Sequence, residues 1–171
     1  MTPLPIRFAA LLAGLLAAAQ AAPAAAQDVV RHRAPGSSVP IAMAVEVPPG
    51  ATLVLVSGMV PAVADPAAPR NSPASFGDTR AQTASVLSRI EASLAAIGLT
   101  LGDVARMQVF LVADPARDGR MDFDGFMAAY SERFGTAAQP NLPARSVMQV
   151  AGLVNPGWLV EIEATAVRKR P

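Results

Sequence analysis

The stretch from Asn141 to Val167, NLPARSVMQVAGLVNPGWLVEIEATAV, constrains the fold more than any other part of the chain. Ser146–Val150 alternates apolar and polar side chains, as does the longer run Leu159–Val167, and each pattern predicts a β-strand. Asn155-Pro156-Gly157 between them is turn chemistry: proline presets φ at the first turning position, and glycine tolerates a positive φ after it. The two strands are therefore expected as a hairpin. Successive side chains of a strand point to opposite faces, so Glu161 and Glu163 share one face while Val160, Ile162 and Ala164 take the other. Arg145, just ahead of the first strand, brings a guanidinium to the region of these carboxylates, and that combination is the strongest chemical lead in the sequence. Taken alone, Arg145 and Glu161 would equally serve as an ion pair locking the hairpin, with Glu163 paired to Arg168.

Upstream, Ile41–Val47 alternates weakly and predicts a first strand, closed by Pro48-Pro49-Gly50. Thr52–Ser57 reads as a buried strand ending at Ser57-Gly58, where backbone N–H groups are left free to meet a ligand. Residues 59–77 form a long connection with four prolines, expected as a solvated insertion, with a lid over a site as the alternative. Asp78 or Thr79 caps a helix running to Ile97 and stopped by Gly98, with Leu87, Ile90, Leu94 and Ile97 on its apolar face. Val104–Ala113 predicts a central strand. A second helix is expected over 121–134, with Phe123, Phe126, Met127, Tyr130 and Phe134 as a core-packing stripe and Gly135 past its end. The order β-β-α-β-α-β-β predicts an α+β domain, two helices covering one sheet face. Nothing covers the face of Glu161 and Glu163, which leaves it for another subunit.

Residues 1–26 read as a signal peptide: Arg7 is followed by the apolar run Phe8–Ala19 and by Ala24-Ala25-Ala26 ahead of Gln27. The run is short against the ~20 residues a bilayer span needs, so export to the periplasm or outside the cell is expected, with no membrane contact after cleavage. Residues 27–40 read as a flexible lead-in and 41–171 as the domain. Cleavage removes Arg7 and no acid, so 14 Lys+Arg and 13 Asp+Glu become 13 of each. That balance argues against electrostatic binding of nucleic acid. With no cysteine and one histidine, His32, between Arg31 and Arg33 in the lead-in, multi-histidine and thiolate metal sites are excluded and Ser57 lacks a base. No cofactor motif is present.

Several separated motifs occur in the order of one known family. Pro143-Ala144-Arg145-Ser146 followed by Glu161-Ile162-Glu163-Ala164 resembles the signature of the RidA/YjgF family of enamine/imine deaminases. Val56–Pro61 is similar to that family's strand-ending SGQ(I/V)P, Gln82–Asp103 to its first helix, and Val104–Asp114 to its central strand. The resemblance covers about residues 34–168. It implies a chorismate-mutase-like fold, a homotrimer, and sites in the clefts between subunits. It further implies that Arg145 grips the carboxylate of a 2-imino or 2-enamino acid and that Glu161 holds the attacking water. Backbone donors at Ser57 and Gly58 would complete the pocket. Three positions depart from the pattern: Ile41 stands where the family has tyrosine, Met127 where it has asparagine, and Met59 where it has glutamine. All three remove hydrogen-bonding groups, which implies an apolar or bulkier imino acid. The alternative is a trimeric carboxylate-binding or partner-shielding module without turnover.

Overall fold

The computed structural model describes residues 28–169; the expected signal peptide, 1–26, lies outside them. The elements are β1 (Val30–His32), β2 (Ala44–Glu46), β3 (Thr52–Met59), α1 (Thr79–Ala95), β4 (Val104–Val112), α2 (Phe123–Ser131), β5 (Ala144–Val150) and β6 (Val160–Arg168). The last four strands form one sheet in the order β3-β6-β4-β5. β6 runs antiparallel to both β3 and β4, and β5 runs parallel to β4.

This order corrects the expected hairpin: β5 and β6 are not neighbours, because β4 lies between them. β4 carries Met107, Val109 and Leu111, all buried, and a strand this apolar belongs at the centre, paired along both edges. The Asn155-Pro156-Gly157 turn still reverses the chain, with Gly157 N donating to Asn155 Oδ1 at 2.8 Å and Trp158 N to Asn155 O at 3.0 Å. It carries the chain past β4 to its far side. Arg145, expected just before a strand, is the second residue of β5, opposite Met107.

Two parallel crossovers, β3-α1-β4 and β4-α2-β5, step the same way across the sheet, so a common hand places both helices on one face. Asp78 caps α1 by accepting from Ala81 N at 2.8 Å, and Asp122 caps α2 by accepting from Gly125 N at 3.1 Å. Val86, Leu87, Ile90 and Leu94 of α1 and Phe126 and Tyr130 of α2 close over Val160, Ile162, Ala164 and Ala166 of β6, all buried. Ile97 lies beyond the end of α1 and is exposed, so it is not part of that face. α2 is shorter than expected, ending at Ser131; Gly135, at φ 77°, turns the chain after it.

The N-terminal segment is more structured than a flexible lead-in. β1 pairs antiparallel with β2, and the Arg31 guanidinium donates to the carbonyls of Val104 and Leu142 at 2.8 Å and Gly102 at 2.9 Å. His32 meets Glu46 at 2.7 Å instead of standing free in solvent. The expected strand Ile41–Val47 is reduced to β2 and an isolated bridge from Ala42 to Ala144. Residues 59–77 are also pinned: Ala64 N and Asp65 N donate to Ser75 O, and Asn155 Nδ2 donates to Arg70 O at 2.9 Å.

The other sheet face bears Leu53, Leu55 and Ser57 of β3, Glu161 and Glu163 of β6, and Arg106 and Phe110 of β4, with no helix of the described residues over it. Leu53 is 55% and Leu55 78% exposed, an apolar surface of the kind that a protein partner covers.

Candidate functional site

The six residues singled out from the sequence fall into two groups on opposite faces of the sheet. Arg145 faces α2. Its guanidinium lies over the Tyr130 ring, 4.1 Å from the centroid, and 4.8 Å from that of Phe126. Nη2 donates to Met127 Sδ at 3.1 Å, whereas Nη1 is buried with no hydrogen-bond partner. No carboxylate pairs with Arg145 among the described residues, so the ion pair with Glu161 does not form in one chain. Burial pulls the Arg145 pKa below its ordinary value, the nearby Tyr130 phenol opposing this in part.

The aromatic row that supports the cation follows from spacing. Phe126, Tyr130 and Phe134 recur every fourth residue; Phe126 and Tyr130 lie on one face of α2, and Phe134, just past its end, continues the row, with Tyr130 and Phe134 stacked at 4.7 Å. Tyr130 OH donates to Pro40 O at 2.9 Å, and burial pushes its pKa up to about 12, so it stays a neutral donor at physiological pH. The row was expected as core packing alone; its second role, a platform under Arg145, has no signal in the helix sequence itself. Cation–π contact holds a guanidinium without using its hydrogen-bond donors. Ile41 lies half-buried in the same cleft of about 290 Å³ as Arg145.

The second group lies across the sheet. Between the pairs Val56↔Ala164 and Met59↔Ile162, Ser57 and Gly58 stand opposite Glu163 alone, so β3 has a bulge there. A bulge leaves backbone groups out of the ladder and re-aims the neighbouring side chains. Glu161 lies half-buried directly over Gly58, and a Cβ at that position would collide with Glu161 Oε1. Gly58 is therefore what lets the carboxylate lie against the bulge. Gly58→Ala is expected to displace the carboxylate while the backbone, which has an ordinary φ here, stays in place. The expected result is a shifted Glu161 carboxylate with stability changed by less than ~1 kcal/mol, read by a crystal structure of the variant beside thermal unfolding. A loss of folding, or a carboxylate left in place, would contradict this placement.

Gln82 was noted in the sequence only as the start of a motif. It is fully buried and joins three segments: Nε2 donates to Gly77 O at 2.9 Å and Gly157 O at 3.0 Å, and Oε1 accepts from Leu159 N at 2.7 Å. It thereby fixes the chain two residues before Glu161.

The α+β domain thus holds an arginine with an unmet donor on one face of its sheet and a carboxylate against a bulge on the other. Comparison with known proteins gives the family. The chain belongs to the RidA/YjgF family: the family model described as Endoribonuclease L-PSP matches residues 31–168. It is 35% identical over 143 residues to a RutC family protein of Haemophilus influenzae, covering 84% of this chain and 98% of that protein. It is 31% identical over 143 residues to the 2-iminobutanoate/2-iminopropanoate deaminase of Salmonella typhimurium, with the same coverage of 84% and 98%. Among solved structures, the serine-bound TdcF of Escherichia coli is similar at 30% identity and a TM-score of 0.52, over 83% of this chain and 98% of that one. The two helices on a mixed sheet are the family's chorismate-mutase-like α+β fold, as expected from the sequence.

Proposed function

We propose that the chain is a homotrimeric hydrolase that converts 2-imino and 2-enamino acids into 2-keto acids and ammonia in the clefts between subunits. The observation that carries this reading is the Arg145 guanidinium, half-buried with its Nη1 unmet and no acid paired with it among the described residues. A buried cation without a partner is costly, and a substrate carboxylate meeting its planar fork removes that cost. Glu161 lies on the opposite sheet face, so one site uses both only if Arg145 comes from one protomer and Glu161 from the next. The exposed Leu53 and Leu55 beside Glu161 supply apolar surface for that contact.

In such a cleft Arg145 fixes the carboxylate, and Glu161 accepts a hydrogen bond from a water aimed at C2. As the water adds to C2 of the protonated C=N bond, Glu161 takes its proton, giving a carbinolamine whose hydroxyl can be oriented by the backbone donors of Ser57 and Gly58. Return of that proton to the nitrogen makes it a leaving group; the C–N bond breaks, ammonia departs, and the hydroxyl oxygen forms the C=O bond of the keto acid as its proton passes to solvent. Substrates of this kind hydrolyse slowly in water, so orientation and charge placement suffice. The relative named as a 2-iminobutanoate/2-iminopropanoate deaminase supports this chemistry. The test generates 2-imino acids with an amino-acid oxidase and traps them with semicarbazide. The protein is expected to suppress trapping; unchanged trapping across a panel of imines, with carboxylates still bound, would favour the binding module, which the unmet Arg145 donor would serve equally well.

We also propose that residues 1–26 direct export, so that the mature chain acts in the periplasm or outside the cell. Arg7, the apolar run and Ala24-Ala25-Ala26 support this. N-terminal sequencing of the chain from fractionated cells tests it, and an uncleaved cytoplasmic chain would contradict it.

A further inference from the structure

We propose that Met127 is a reversible oxidation site that controls anion binding: a hydroperoxide converts its thioether to a sulfoxide, whose oxygen takes the Arg145 donors that a substrate carboxylate needs. The inference rests on Arg145 as the carboxylate anchor and adds a modification to that site. Among the described residues, the only acceptor that the Arg145 guanidinium meets is Met127 Sδ, 3.1 Å from Nη2, while Nη1 is buried with no partner. The Tyr130 and Phe126 rings support the cation through their faces, 4.1 and 4.8 Å from the ring centroids. A thioether is a weak acceptor, so the guanidinium fork stays available to a stronger one. A sulfoxide oxygen is such an acceptor, and it is carried on the side chain that already touches the fork. Met127 is half-buried, and its unbranched chain with three rotatable bonds lets the new oxygen turn onto the guanidinium. The asparagine that the family has at this position contains no sulfur, so the oxidation site belongs to this chain's departure from the family pattern.

The step is an oxygen-atom transfer. A lone pair of Sδ attacks one peroxide oxygen, the O–O bond breaks and an S–O bond forms; the departing hydroxide takes the proton left on the transferred oxygen and becomes water. Sulfur is oxidised by two electrons and the peroxide is reduced by two. The oxidant accompanies the substrate, because an oxidase that makes a 2-imino acid from an amino acid passes two electrons to O2 and releases one H2O2 with each imine. Peroxide is smaller than an imino acid, so a cleft that admits one admits the other. The hydrogen bond from Nη2 draws on the sulfur lone pairs and slows the attack, so Met43 and Met148, 64% and 38% exposed, react first. Neither is hydrogen-bonded to Arg145, and their oxidation leaves the anion site open. A sulfoxide in a core ordinarily buries an oxygen without a partner. Here the guanidinium satisfies it, so oxidation of Met127 leaves the fold intact.

The test treats the mature chain with H2O2, follows each methionine by peptide mass spectrometry, and measures calorimetric binding of 2-ketobutanoate, which needs no turnover. A Kd raised by about tenfold or more is expected to track sulfoxide at Met127 and not the earlier sulfoxides at Met43 and Met148. The Tm is expected to fall by less than ~3 °C. Methionine sulfoxide reductases, one for each sulfoxide epimer, are expected to restore binding. Met127→Leu, whatever its own Kd, is expected to be indifferent to peroxide, and Met43→Leu to stay sensitive. In the oxidase-coupled trapping assay, the wild type is expected to lose activity as peroxide accumulates and to keep it when catalase is added. Binding that peroxide abolishes, with no turnover under any condition, would overturn the deaminase reading and leave the oxidation site standing. Binding that persists with Met127 fully oxidised, a loss that follows Met43, or a Met127 that peroxide leaves unoxidised overturns the proposal and leaves the deaminase reading in place. An untreated chain that neither binds the keto acid nor suppresses trapping overturns both.

Discussion

Arg145→Ala is expected to lower kcat/KM for 2-imino acids by about 10²–10³-fold, while leaving the thermal stability of the protein unchanged or slightly raised. The two parts of this result have one origin. In the free protein the guanidinium is stacked on Tyr130 and Phe126 and touches the Met127 thioether, but Nη1 is buried without an acceptor. Removing the side chain forfeits cation–π contact worth about 0.5–2 kcal/mol and relieves an unsatisfied buried donor that costs about 1–3 kcal/mol. The folded state is therefore close to indifferent. The bound state is not, because a substrate carboxylate loses a charge-assisted, bidentate partner whose removal from a desolvated site costs about 2–5 kcal/mol. Arg145→Lys keeps the charge without the planar fork and is expected to fall between the two. Trapping kinetics beside calorimetric unfolding measures both. An Arg145→Ala variant that keeps kcat/KM within about threefold, or that loses more than ~3 kcal/mol of stability, would make the arginine structural.

Gln82→Leu is expected to have the largest effect on stability. Leucine is of similar volume and more apolar, yet it leaves the Gly77 and Gly157 carbonyls and the Leu159 amide without their partner. Each backbone group orphaned in this way costs about 1–3 kcal/mol, and the three together give a loss of about 3–9 kcal/mol and a Tm lower by about 10–30 °C. The surroundings offer little room to adjust. A Cβ on Gly157 would lie 2.7 Å from Ser72 O and 2.8 Å from Phe76 Cε2, so the turn and the 72–77 segment are already in close contact. Differential scanning calorimetry of the variant beside the wild type tests this, and a change below ~1 kcal/mol would mean that water replaces the amide without loss.

The sequence revealed the elements better than their neighbours. Periodicity located β3, β4, β6 and the start of α1 because each buries one face or one stripe, and burial leaves a local pattern. Strand order leaves none. A proline–glycine turn between two strands looks the same whether the strands pair or flank a third, and only the demand of β4 for two partners decides it. The same limit applies at the site. Motifs single out Arg145, Glu161, Ser57, Gly58, Ile41 and Met127 as candidates, but their division between two sheet faces follows from register. Phe126, Tyr130 and Phe134 read as core because a helix sequence records which residues are buried and not what lies on them. Arg31 read as part of a solvated tail because its three carbonyl acceptors come from segments 71 to 111 residues away. Gln82 shows the same problem: it is a polar residue in a helix whose bonds reach 75 and 77 residues along the chain.

The division of Arg145 and Glu161 between two protomers is the central claim, and subunit mixing tests it most directly. Arg145→Ala and Glu161→Gln chains, each inactive alone, are coexpressed and the mixed trimers assayed for suppression of semicarbazide trapping. Random assortment gives a complete cleft whenever an intact Arg145 meets an intact Glu161 from its neighbour, which restores about a quarter of wild-type activity. Mixed trimers as inactive as their parents would place both residues of each site in one chain and contradict the account.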